Sequence, residues 1–126
     1  MITGMDASSN LLEKMMNVSA TKHKVIANNI ANVNTPGYKR MEVSFEDQLS
    51  RAIQDVPVAK LTTLQPKIVV SKDKEGSGNI RNDGNNVNID SEVTSLLKNT
   101  GKYNVYTQIL GKKMEMVKSA IDNSKA

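Results

Sequence analysis

Cysteine and tryptophan are absent from this 126-residue chain, and its aromatics amount to three Tyr and one Phe. Without a thiol there is no disulfide framework, no thiolate nucleophile and no Cys-based zinc site. The single histidine, His23, has no second soft ligand with which to complete a transition-metal centre. Hydrophobic residues make up 38%, against roughly 45 to 50% in ordinary globular domains, so material for a thick, self-sufficient core is short. No stretch approaches the roughly 18 to 20 consecutive apolar residues of a membrane span. Met1 to Met16 carries Asp6, Ser8, Ser9, Asn10, Glu13 and Lys14, which is not the composition of a cleavable secretory signal. Export that reads an uncleaved N-terminus stays open. The length suits one small domain.

What the chain does have is helical periodicity at both ends. Leu12, Met16, Ser19, His23, Ile26, Ile30 and Val33 fall at alternating spacings of four and three, the seam of a helix that meets other helices. Leu11, Met15, Val18 and Val25 widen that face. Asp6, Ser8, Ser9 and Asn10 are the candidate N-caps, with Glu13 as a box partner for Asn10. Nearer the C-terminus, Val93, Leu96, Thr100, Tyr103, Thr107, Leu110, Met114, Val117 and Ile121 keep the three-four alternation unbroken. This predicts a helix over Ser91–Ile121 capped by Asp90, about 46 Å long at roughly 1.5 Å per residue. That is more than a compact domain of this size needs, and extended assembly uses it better. Gly101 and Gly111 each cost such a helix about 1 kcal/mol relative to Ala, so its helicity is expected to be coupled to association.

Between the ends the pattern weakens. Ser44 to Ile53 predicts a short helix capped by Ser44, with Phe45, Leu49 and Ile53 on one face. Asp55 to Asn88 holds Pro57 and Pro66, one strand-like run at Lys67–Ser71, and turn-rich stretches at Lys74–Asn79 and Asn82–Asn86. The expected fold class is mainly α, with long N- and C-terminal helices paired in a coiled-coil-like bundle around an irregular or partly β middle. The expected division is a discontinuous helical core from 1–40 and 83–126, with 41–82 as a short helix plus flexible middle.

Catalysis needs convergent groups, and few are present. Asp83, Asn85 and Val87 echo the start of a calcium loop, but Asn88 stands where Gly is required and Thr94 where Glu is required. Asn17-Val18-Ser19 matches the glycosylation pattern only by letters, inside a helix. No phosphate-cradling loop or nucleophile elbow occurs. The reading is therefore not an enzyme, with no catalytic, cofactor or metal residues and no small-molecule substrate. A net charge of +4 invites nucleic acid, yet the basic C-terminal third lacks Arg and stacking aromatics, so a solvated lysine face is preferred and no nucleic acid is expected.

One junction is more distinctive. In the run from Ala27 to Arg40, Ala-Asn-Asn-Ile-Ala-Asn-Val-Asn-Thr-Pro-Gly-Tyr-Lys-Arg, Pro36 pushes Thr35 out of the helical region and Pro-Gly suits the centre of a type II turn. The first helix must end there, with Asn34, Thr35, Pro36, Gly37 and Tyr38 forming the turn. Asn28, Asn29 and Asn32 are candidates for contacts in a polar helix interface.

This run resembles the rod signature shared by the axial proteins of the bacterial flagellum, and Asp83–Glu92 continuing through Asn99, Tyr103, Leu110 and Lys113 is similar to the C-terminal block of its short proximal-rod members. Val33 and Asn88 depart from the pattern, standing where small and acidic residues are usual. The resemblance implies a non-enzymatic structural subunit of the basal body that self-assembles in the proximal rod and serves motility. It further implies type III export without signal cleavage, and as neighbours other copies of the chain, FlgC, FliE, other rod proteins, the export gate and the MS ring. The assembly interface it suggests runs through Leu12, Met16, Ile26, Asn28, Asn29, Ile30 and Asn32 on the first helix and Val93, Leu96, Tyr103, Leu110, Met114, Val117 and Ile121 on the last. The alternative use of the same seams is a soluble helical adaptor or export chaperone.

Overall fold

A computed structural model describes residues 6–71 and 82–125, with Val58 and Ala59 described by backbone alone. The elements in chain order are α1 (Ala7–Ala31), β1 (Met41–Ser44), α2 (Glu46–Asp55), α3 (Val58–Leu61), β2 (Lys67–Val70) and α4 (Ile89–Ser124). The mainly α reading with a partly β middle holds. The predicted turns at Lys74–Asn79, and Met1–Met5, lie outside the described residues.

The two long helices run antiparallel. As the contacts descend α1 from Asn29 to Ser19 to Asp6, they climb α4 from Glu92 to Asn99 to Lys113. α1 is the hub, touching α4, β1 and α3, whereas α4 leans on α1 alone among its principal contacts. With 36 residues against 25, α4 is about 54 Å long and α1 about 38 Å. Residues 114–124 of α4 therefore reach past the start of α1.

Local chemistry explains the boundaries. The Asp6 side chain accepts from Ser9 N–H at 2.8 Å and caps α1. Hydrogen bonds from the Ser9 side chain and backbone hold its carboxyl well below the usual range, with Lys113 adding to the effect. α4 begins two residues earlier than its periodicity suggests, because Asn88 rather than Asp90 is the cap, accepting from Asp90 N–H and Ser91 N–H. The departure from an acidic residue at 88 thus keeps a capping side chain. The short helix also shifts: Ser44 is the last residue of β1, α2 starts at Glu46, and no side chain caps it. Phe45 is fully buried while Ile53 is exposed, so they do not share one face. β1 and β2 pair antiparallel, Met41 opposite Val70 and Ser44 opposite Lys67.

Among the described residues the apolar core is small, consisting of Val18, Val25, Ile26, Phe45, Leu61 and Val87. Polar residues of the same depth match them in number: Ser9, Ser19, Asn29, Asn85, Glu92 and Asn99. A core this polar holds together because its buried side-chain polar atoms are paired, Asn99 Oδ1 excepted.

Candidate assembly interface and the polar clamp beneath it

The Pro-Gly turn forms as its chemistry dictates. Tyr38 N–H donates to Thr35 O at 3.2 Å, and Gly37 sits at φ +73°, the left-handed position that glycine reaches without strain. Gly37 N–H donates to Asp83 O at 2.8 Å, which ties the turn to the distant 83–92 block. Gly84, also left-handed at φ +82°, packs so close that an added Cβ would sit 3.6 Å from the Gly37 Cα. The two motifs singled out in the sequence are therefore two halves of one clamp.

Asn85 is its pin. Completely buried, it donates through Nδ2 to the carbonyls of Asn32, Val33 and Thr35 at 2.9, 3.1 and 2.9 Å, and its Oδ1 accepts from Val87 N–H at 2.8 Å. The carbonyl of Asn32, the C-cap of α1, is one that a helix terminus leaves without an intrahelical partner, so Asn85, some fifty positions away, adds to the cap that Thr35 N–H provides. Lys39 Nζ reaches Gly84 O at 2.6 Å and Arg40 N–H reaches Asn86 Oδ1 at 2.6 Å.

Asn29, equally buried, joins three elements. It donates to Met41 O, accepts from Met41 N–H and from the Tyr38 hydroxyl, and touches Glu92 Oε2 at 3.3 Å. Glu92 is 1% exposed and its Oε1 accepts from Arg40 Nε at 2.7 Å. Burial alone would lower the Arg40 pKa, but the hydrogen bond and charge of Glu92, with Glu42, more than offset this and hold it above its usual value. Of the three asparagines expected at a polar helix interface, Asn29 is there. Asn28 is exposed and donates to the Tyr38 hydroxyl, and Asn32 is half-buried, bonded within its own helix end.

The heptad period is right, and its phase is displaced. On α4 the side facing α1 carries Glu92, Leu96, Asn99, Tyr106, Leu110 and Lys113. Leu96 and Leu110 are shared with the expected seam and are half-buried, whereas Val93, Tyr103, Met114, Val117 and Ile121 are exposed. On α1 both stripes contribute: Val18 and Val25 of the flanking stripe and Ser19 and Ile26 of the expected seam are buried, while Leu12, Met16 and Ile30 are half-buried and His23 is exposed. Within the turn, residues 34–37 are exposed and Tyr38 is half-buried. Polar partners set this rotation, because Glu92, Asn99 and Lys113 each find a matching group on α1 or beside it.

The rotation leaves an apolar row facing solvent. Ile89, Val93, Leu97, Val105 and Ile109 recur every fourth residue, with Gly101 completing the series, and all five large side chains are exposed. Nothing lies within 4 Å of a Cβ placed on Gly101. Rows at spacing four are the ridges that interlock when helices pack, and a glycine within one admits a close crossing. Among the described residues no cluster of His, Cys, Asp and Glu could hold a metal, and no helix is long and apolar enough to cross a membrane.

The described chain is thus a pair of unequal terminal helices, clamped at a Pro-Gly turn and bearing an uncovered apolar ridge, the build of a structural assembly subunit. Residues 16–39 match the family described as flagella basal body rod protein. Rod protein FlgB of Borrelia hermsii is 33% identical over 118 residues, covering 82% of this chain and 87% of that one. FlgB of Bacillus subtilis is 31% identical over 123 residues, covering 90% and 92%, and FlgB of Salmonella typhimurium is 25% identical over 132 residues, covering 91% and 93%. The chain belongs to the FlgB family of flagellar basal body rod proteins. It is a structural subunit of that rod, and its family is not enzymatic.

Substitution at Gly37 tests the turn. A Cβ at Gly37 meets no neighbour within 4 Å, so the expected cost of Gly37→Val is chiefly backbone strain of about 1–2 kcal/mol. Gly101→Ala, on a helix, is expected to stabilise the isolated subunit by about 1 kcal/mol. Urea midpoints should move in opposite directions; a Gly37→Val protein as stable as the parent would show that the turn tolerates another conformation.

Proposed function

We propose that the subunit polymerises through the solvent-facing ridge of α4, with residues 1–40 and 83–126 as the rod core and 41–82 as a peripheral segment. The observation that carries this is the row from Ile89 to Ile109, five large apolar side chains exposed on a helix whose other side is held by polar contacts. A neighbour covering them gains on the order of 1 kcal/mol per half-exposed side chain, and a lattice repeats that gain at every copy. The exposed Met114, Val117 and Ile121 on the overhang of α4 continue the line of Leu110 past the start of α1 and offer a second apolar contact to a neighbour. A contact between unlike faces that repeats without closing builds a helical tube, and close packing gives a shaft its torsional stiffness.

Neighbours in this reading are further copies, FlgC, FliE, the MS ring and the export gate, reached by type III export without signal cleavage. The family resemblance supports these partners, and the small core, low in aromatics, suits a chain that must pass an export channel before it assembles.

Leu97, 69% exposed, separates assembly from folding. Leu97→Asp should leave the purified subunit within about 0.5 kcal/mol of the parent, as for exposed positions generally, while basal-body counts and swimming fall to background. Normal swimming would overturn the assignment of this ridge.

A further inference from the structure

The small sheet has one open edge. Met41 lies opposite Val70 and Val43 opposite Ile68, and the pairing runs on to Ser71, whose N–H donates to Arg40 O at 2.9 Å. In an antiparallel pair, opposite residues alternate between those that exchange hydrogen bonds and those whose N–H and C=O point away. Arg40–Ser71 is of the first kind, as are Glu42–Val69 and Ser44–Lys67, so Met41–Val70 and Val43–Ile68 are of the second. On β1 the outward groups of Met41 are taken, because its N–H and carbonyl both bond the Asn29 side chain. On β2 the outward groups of Ile68 and Val70 have no hydrogen-bond partner among the described residues. Ile68, Val69 and Val70 are 57%, 37% and 55% exposed, and β1 is the one principal contact of β2. An open apolar edge is a template for a further strand.

We infer that two copies of this chain join edge to edge through β2, antiparallel about a two-fold axis at Val69. In that register Ile68 exchanges both of its outward hydrogen bonds with Val70 of the second copy, and Val70 does the same with Ile68 of the second copy. Lys67 then faces Ser71 of the second copy, so no like charges meet. Sliding the strands toward their N-termini first sets Pro66, which lacks an N–H, against Val70, and then sets the two Lys67 side chains opposite each other, a destabilising pair. Because Asn29 occupies the β1 edge, a second copy offers only its own β2, which makes the contact symmetric. The product is a four-stranded sheet with Met41, Val43, Ile68 and Val70 of both copies on one face. Two strands are marginal alone, whereas three or more with an apolar face are not. So short a seam falls well under the roughly 1,200 Å² of stable complexes, so the dimer is weak and concentration-dependent. A two-fold contact closes at two copies. It is therefore a state of the subunit outside the rod, separate from the ridge of α4.

The test uses the purified full-length chain carrying Leu97→Asp, which removes association through that ridge. Sedimentation equilibrium is expected to show a reversible monomer–dimer equilibrium with nothing larger. Val70→Pro deletes an outward N–H and no bond to β1, so it should weaken the dimer at least tenfold, whereas Val70→Thr should change it less than threefold. Circular dichroism checks that both variants are folded. The register is read separately, since the chain has no cysteine. Val69→Cys places two thiols across the axis with Cα atoms about 4.5 Å apart, within disulfide range, while Ile68→Cys leaves them diagonal at about 7–8 Å, beyond it. Under copper–phenanthroline oxidation, Val69→Cys should cross-link at least tenfold faster. A monomer at every concentration, a folded Val70→Pro variant that associates like its parent, or equal cross-linking of the two cysteine variants would overturn the inference. Should Val70→Pro fail to fold, the cross-linking comparison decides.

Discussion

Asn85→Ala is expected to lower the unfolding free energy by about 2–4 kcal/mol, among the largest effects of any single truncation in this chain. The substitution strips a partner from three part-buried carbonyls, of which Asn32 O keeps Thr35 N–H, and from the buried Val87 N–H; each group left unsatisfied costs about 1–3 kcal/mol, reduced where water enters the space vacated. Asn85→Asp is expected to be worse than Ala. It retains an acceptor for Val87 N–H but turns a carboxylate oxygen toward the carbonyls of Asn32, Val33 and Thr35, which offer no proton. Urea unfolding with an unchanged slope measures both. The reverse order, Asp milder than Ala, would mean that capping of α1 is not what Asn85 contributes. In cells, the direction in which the chain leaves α1 is repeated at every copy, so completed basal bodies should fall with either variant.

The second large effect is expected at Glu92. Removing one partner of a buried ion pair typically costs about 3–5 kcal/mol, since the other charge stays behind without compensation. Here Arg40 is 28% exposed and keeps Glu42 as a second partner, which places Glu92→Ala nearer 2–3 kcal/mol. Asn29 loses a contact as well. A double-mutant cycle with Arg40→Ala isolates the pair: a coupling of about 1 kcal/mol or more is expected for residues sharing a network. Strictly additive losses would show that the two act separately. Replacing both by Leu and Met should recover much of the stability while loosening the register of α4 on α1, visible as faster amide exchange around Asn99.

Together these residues show why so small an apolar core suffices. Val18, Val25, Ile26, Phe45, Leu61 and Val87 bury apolar surface, but register comes from groups that accept only one arrangement. Asn29 must meet Met41, Asn85 must meet the end of α1, and Asn99 must meet Ser19 O. A one-residue slip would leave several buried polar groups unpaired at once, and apolar side chains, which pack without direction, impose no such penalty.

Much was determined by the sequence alone. Both long helices, their three-four periodicity, the end of α1 at the Pro-Gly turn and the strand at Lys67 follow from local spacing and from residues whose backbone preferences are intrinsic, as proline's and glycine's are. The rod signature at Ala27–Arg40 and the block at Asp83–Glu92 were likewise legible, each as a separate motif. Only the tertiary structure decided that these motifs grip one another, that Asn85 caps a helix far away in the chain, and that Glu92 and Asn99 rather than Val93 and Thr100 face α1. Periodicity fixes the spacing of a stripe, but α4 is apolar on more than one side, so its phase depends on which partner is present. Within the subunit, hydrogen bonds and charge pairs outweigh apolar area in choosing that phase, and they leave the Ile89–Ile109 ridge facing solvent.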